Sequence, residues 1–183
     1  MVTKTKKIIL DGFWRIGKTT FCQKKELDGW VYIKEPDHNK ERGLNKNIYD
    51  VNAYYILAHS SNMSRFVVEK HQTIMERCII SSFAYNYAMG NQIWKVIWAR
   101  IENDTFLKQN KTYCFYRAYD DFVEDMSHYQ KNQIIPYEVD LHKFYRRFLR
   151  ALNLVVNRYS NHVNLIKLEK GQFVSDYFNL KKL

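Results

Sequence analysis

Two prolines and six glycines are all that the sequence offers as chain breakers. That scarcity excludes long disordered linkers. Cysteine is scarce as well: Cys22, Cys78 and Cys114 stand far apart, with no Cys-x-x-Cys pair. An odd, widely spaced set excludes a disulfide framework and a cysteine zinc site, and reduced thiols are expected. Long apolar runs are absent too. Met1 to Leu10 carries lysines around a three-residue apolar run, too short for a signal peptide. No stretch approaches the length of a membrane span. A soluble, cytoplasmic chain with no membrane partner is expected. The six histidines show no metal-ligand spacing.

What is present is apolar bulk and positive charge. The 183 residues are 46% hydrophobic and 16% aromatic, with 14 Tyr and 11 Phe. That length fits one compact domain over 1–183 with a largely aromatic core. The formal charge of +10 favours polyanionic partners, whether nucleotides, nucleic acid or acidic membrane surfaces, without choosing among them.

Short apolar runs predict strands over Lys7–Leu10, Trp30–Lys34, Thr73–Met75, Thr112–Tyr116 and Val163–Leu168. Pro36 stops the second. Helices are predicted over Lys18–Leu27, over Asn47–Lys70 with an inward stripe of Val51, Tyr55, Phe66 and Val67, from Ser81 or Ser82, around Trp94–Ile101, and over Tyr119–His128. The polar run 37–45 reads as a loop. Val139–Tyr159 reads as a long amphipathic helix with Leu141, Phe144, Phe148, Leu152, Val155 and Tyr159 inward. Short apolar strands alternating with helices predict an α/β three-layer sandwich: a five-stranded parallel sheet with helices on both faces.

Residues 12–19, Gly12-Phe13-Trp14-Arg15-Ile16-Gly17-Lys18-Thr19, fit G-x-x-x-x-G-K-[ST] between the first strand and the first helix. A phosphate cradle needs that spacing. Glycines let the backbone turn its N–H groups inward, and the following helix adds its free N–H groups and positive end. Lys18 then reaches the transferable phosphate, Thr19 offers a hydroxyl to Mg²⁺, and Thr20 follows in the same turn. Arg15 is unusual inside such a loop. It reads either as a solvated arginine or as a charge clamp on the γ-phosphate.

Glu35-Pro36 ends the second strand, and Glu76-Arg77 ends the third. In an open parallel sheet, ligands collect at the carboxyl ends of strands. Gly12, Glu35 and Glu76 therefore converge on one crevice, where a carboxylate can accept a proton or hold Mg²⁺ through water and an arginine can grip phosphate.

These residues carry a resemblance. The strand, loop and helix at 7–27 and the Glu35-Pro36 pair resemble the thymidylate kinase and deoxynucleoside kinase branch of the P-loop kinases. Glu76-Arg77 with Ser81-Ser82-Phe83-Ala84-Tyr85-Asn86 resembles the thymidylate kinase run Asp-Arg-x-x-x-Ser-Ser-x-Ala-Tyr-Gln. Arg15 is similar to the in-loop arginine of one class of thymidylate kinases. Glu at 76, and Ile135-Pro136-Tyr137-Glu138-Val139-Asp140-Leu141-His142, resemble the deoxynucleoside kinase branch instead.

The resemblance implies an ATP- and Mg²⁺-dependent kinase acting on a deoxynucleoside monophosphate, thymidylate-like. It implies that Glu35 is a base or substrate-orienting carboxylate, that Glu76 joins Thr19 at Mg²⁺, and that Arg77 binds the phosphate. Ser82, Tyr85 and Asn86 are then expected on the acceptor side, Asn86 with a shorter amide than the usual Gln. A homodimer and a lid near 126–137 are also implied. The span Asp120–Gln133 lacks the arginines usual there and offers His128 and Lys131. Arg15 or Arg117 would supply that charge. Three other readings stay open: a deoxynucleoside kinase, a kinase acting on a nucleic-acid end or modified base, and a module for which nucleotide is only a conformational ligand. Lys143, Arg146, Arg147 and Arg150 on the long helix read as a solvated face or as a tract for nucleic-acid phosphates.

Overall fold

The computed structural model describes residues 5–37, 48–131 and 139–180, with side chains of 48, 49 and 126–131 left aside. In chain order the elements are β1 (Lys7–Gly12), α1 (Lys18–Leu27), β2 (Val31–Ile33), α2 (Ile48–Val68) and β3 (Thr73–Glu76). Then come α3 (Ile79–Met89), α4 (Ile93–Glu102), α5 (Thr105–Gln109), β4 (Thr112–Tyr116) and α6 (Tyr119–Lys131). The chain closes with α7 (Leu141–Arg158), β5 (Val163–Lys167) and α8 (Val174–Leu180). The predicted lid and the loop at 37–45 fall largely outside the described residues.

All five strands are parallel, in the order β2-β3-β1-β4-β5. Burial explains their composition. Ile8, Ile9 and Leu10 are almost fully enclosed, because helices cover the sheet above and below. On one side α1 packs against β2, β3 and α8, with Phe21 stacked on Phe178 at 4.8 Å between centroids. On the other, α3 packs on β1 and against α4 and α7. The predicted α/β architecture and its parallel sheet are what the structure has.

An aromatic cluster ties the phosphate-loop segment to α6 and α7. The Phe13 ring lies 5.0 Å from Phe122, 5.5 Å from Tyr145 and 5.0 Å from Phe148. Each enclosed ring contributes roughly 1.5–3 kcal/mol by its burial. The inward stripe of α7 is as the periodicity predicts, with Phe144, Phe148, Leu152, Val155 and Tyr159 buried and Leu141 packed against the core. Asp140 caps this helix by accepting from the Lys143 N–H at 3.0 Å, which stabilises it by about 1 kcal/mol.

Two expectations need correction. Helix α3 begins at Ile79, before Ser81, because a buried carboxylate from β1 takes the Cys78 N–H at its start. In α2, Val67 is exposed while Asn52, His59, Met63 and Phe66 are buried. Polar residues on its inward face break the hydropathy pattern. Helix α5 and helix α8 had no sequence expectation, being too short to show a period. Strands and helices otherwise shift by one to three residues at their ends, as for Val31–Ile33 inside Trp30–Lys34 and for α6, which runs on from His128 to Lys131.

Candidate active site

Everything in the site hangs on how tightly β1 meets its neighbours. Gly12 ends β1 at φ 100°, and a Cβ there would stand 2.1 Å from the Phe115 carbonyl oxygen of β4. Only glycine fits. The Phe13 N–H donates to that same carbonyl at 2.8 Å, which launches the loop. Arg15 then takes φ 54° and Gly17 φ 82° before α1 starts. A left-handed arginine costs on the order of 1 kcal/mol, a strain that accompanies functional turns. Ile16 is fully buried and Phe13 nearly so. Their side chains hold the loop to the core, and the backbone is left to shape the cradle.

Lys18 is 4% exposed and its ammonium donates to the Phe13 carbonyl, folding across the loop. Burial, and then the Arg77 guanidinium, lower its pKa from 10.5 to about 7, against the pull of Glu76, Glu35 and Asp11. Lys18 is thus a cation short of counter-charge, which a polyphosphate would provide. Thr19 Oγ1 donates to Glu76 Oε1 at 2.6 Å, joining the start of α1 to the end of β3. These two oxygens form a hard donor pair. Among the described residues no group of three or more His, Cys, Asp or Glu could hold a metal alone. One or two protein oxygens completed by substrate phosphates are what Mg²⁺ uses in phosphoryl-transfer sites, so Thr19 and Glu76 fit it.

Arg77 follows Glu76 and takes φ 63°, so that its side chain turns back over the loop. Its Nε donates to Glu35 Oε2 at 2.5 Å. Its Nη1 donates to the Gly12 carbonyl and to Ser81 Oγ, each at 3.1 Å, and its guanidinium lies 5.2 Å from the Trp14 ring centroid. Glu35 and Arg77, from the ends of β2 and β3, therefore meet directly beside the cradle; their position at strand ends predicts the shared crevice but not this ion pair.

Beneath them sits a residue the sequence reading missed. Asp11 is fully buried. Its Oδ1 accepts from the Gly12 N–H at 2.7 Å and from Ser81 Oγ, and its Oδ2 accepts from the Cys78 N–H at 3.0 Å. A buried charge persists only when so fully bonded. Asp11, Ser81, Arg77 and Gly12 close a ring of hydrogen bonds that locks the loop to Arg77. The signal was an aspartate at the end of an apolar strand, directly before Gly12.

Trp14, Arg15, Gly17, Lys18, Thr19, Thr20, Glu35, Glu76 and Arg77 line one open cavity of about 600 Å³. Phe21, Lys24, Phe173 and Ser175 complete its wall. Phe173, 46% exposed, would be touched at 3.1 Å by a Cβ at Gly17 and carries the Arg117 guanidinium 5.2 Å above its ring. Arg117 itself is buried and donates to Asp125 at 3.2 Å and to the Gln172 carbonyl at 2.8 Å. Arg15 stays 43% exposed, its Nε 3.9 Å from Asp125, and faces the cavity.

The acceptor-side expectations come out apart from this wall. Ser82 and Asn86 are buried in α3. The Asn86 amide donates to Asn52 Oδ1 and to the Ser82 carbonyl, and accepts from Asn91 at 3.2 Å. Tyr85 lies edge-on to Trp14 and Phe144, with centroids 6.5 and 6.0 Å apart. None of the three lines the cavity.

Comparison of the whole chain with solved structures returns thymidylate and deoxyadenosine kinases. Thymidylate kinase from Candida albicans aligns over 98% of this chain and 93% of its own, at 14% identity and a TM-score of 0.61. Thymidylate kinase from Ehrlichia chaffeensis aligns over 99% and 100%, at 14% identity and 0.59. Deoxyadenosine kinase from M. mycoides, solved with bound dCTP, aligns over 96% of both chains, at 14% identity and 0.61. The chain has the fold of these P-loop kinases. No protein-family model matches the sequence, and no curated protein does. The likeness therefore lies in the path of the chain.

Proposed function

We propose that this chain is an ATP-dependent kinase that transfers the γ-phosphoryl group to a deoxynucleoside monophosphate, thymidylate-like. The observation that carries the reading is the meeting of Lys18, Thr19 and Glu76 with Glu35 and Arg77 in one cavity. Phosphoryl transfer asks for positioning and charge neutralisation more than covalent help. The loop N–H groups and the buried Lys18 take the donor phosphates. Thr19 and Glu76 would hold Mg²⁺, which supplies charge neutralisation on those phosphates when bound. Arg15 is an exposed cation of the cavity rim, suited to charge on the transferred group. Glu35 orients the attacking oxygen and receives its proton, and Arg77 grips the group being transferred.

One observation favours a second reading, in which the acceptor is a deoxynucleoside. Arg77 already spends Nε on Glu35 and Nη1 on Gly12 and Ser81, so the described acceptor side has little cation left for a second phosphate. Incubation of pure protein with ATP, Mg²⁺ and a panel of deoxynucleosides and their monophosphates decides. Phosphorylated monophosphates support the first reading, phosphorylated nucleosides the second, and refusal of every acceptor would contradict both.

A further inference from the structure

Tyr32 stands on β2 with its side chain 7% exposed. Its register partner on β3 is Ile74. Side chains alternate along a strand, so Tyr32, Ile74 and Glu76 emerge on one face of the sheet. That face carries α1, whose Thr19 meets Glu76 there. The Tyr32 phenol donates to Glu76 Oε2, and Thr19 donates to Oε1 at 2.6 Å. Each carboxylate oxygen thus has its own hydroxyl.

We propose that Tyr32 is a positioning residue that fixes the Glu76 carboxylate for the divalent cation accompanying the nucleotide; this rests on the kinase reading above. The last torsion of a glutamate is broad, so a carboxylate held by one oxygen can turn. Thr19 alone cannot prevent this, since its hydroxyl oxygen would also serve the cation. Tyr32 reaches from the neighbouring strand and holds the second oxygen. Tyr32 itself does not line the cavity. Outer-shell partners of this kind are worth about 10- to 100-fold in metal affinity. A tyrosine that is only core packing would leave that affinity unchanged.

The test is binding of a non-hydrolysable ATP analogue by calorimetry, in Mg²⁺ and in EDTA, with Mn²⁺ binding followed by electron paramagnetic resonance. Tyr32→Phe keeps the ring and its packing. It is expected to bind the analogue in EDTA as wild type does, and to lose about tenfold in Mg²⁺ and in Mn²⁺ affinity. Glu76→Gln is expected to abolish the gain from Mg²⁺, and Tyr32→Phe added to it should change nothing further. Full retention of the Mg²⁺ gain in Tyr32→Phe overturns the inference and leaves the kinase reading standing. So does an additive double variant. Failure of wild type to bind the analogue at all overturns both.

Discussion

Lys18→Met should change the pH dependence of stability as well as activity. The ammonium is buried against Arg77, and its pKa falls from 10.5 to about 7. A lysine pKa lowered by folding means that the native state refuses a proton that the unfolded chain accepts. The penalty is complete below pH 7 and is relieved as pH rises from 7 toward 10.5. Over that window stability gains about 1.4 kcal/mol per pH unit from this residue. The full penalty is on the order of 5 kcal/mol. Buried thiols act in the opposite sense. Burial pushes Cys22, Cys78 and Cys114 up, so the unfolded chain loses their protons first and stability falls above about pH 8.5. Those contributions are common to both proteins and drop out of the difference. Urea unfolding of wild type and Lys18→Met, followed by tryptophan fluorescence at pH 6.5, 7.5 and 8.5, measures it. Wild type should gain on the variant by about 1 kcal/mol per pH unit across the upper interval. Parallel pH profiles would refute the reasoning.

Three further outcomes follow from the same geometry. Gly12→Ala places a methyl 2.1 Å from the Phe115 oxygen at φ 100°, and should lower stability by more than about 2 kcal/mol in thermal unfolding. Ser81→Ala removes the hydroxyl between Asp11 and Arg77, and should raise the acceptor KM about tenfold while leaving the ATP KM near its wild-type value in steady-state kinetics. Arg15→Ala touches no core group, and should lower kcat by at least about 100-fold with unchanged thermal stability.

What was legible in the sequence is what short stretches of backbone dictate. Residues 12–19 declare a cradle because Gly12 and Gly17 sit where the chain must turn left-handed, and Lys18-Thr19 open a helix. Glu35 and Glu76-Arg77 could be placed at one crevice in advance because both end strands of one parallel sheet, though not the ion pair between Glu35 and Arg77. What was not legible depends on distant partners. Asp11 matters through Ser81, seventy residues on. Tyr32 reads as one more apolar strand residue until Glu76 is found at its hydroxyl. Asn86 belongs to the run expected on the acceptor side, and its amide donates to Asn52, thirty-four residues earlier, within the helix layer. The inward face of α2 carries Asn52 and His59 beside Phe66, so a hydropathy period reveals only part of it.

The central claim is that the cradle at 12–19 serves phosphoryl transfer. Its most direct test is γ-labelled ATP with Mg²⁺ and a panel of deoxynucleosides and monophosphates, run side by side for wild type and Lys18→Met. The account predicts label on at least one acceptor with wild type and none with the variant. Wild type that binds ATP yet labels no acceptor, or equal labelling by both proteins, would contradict it.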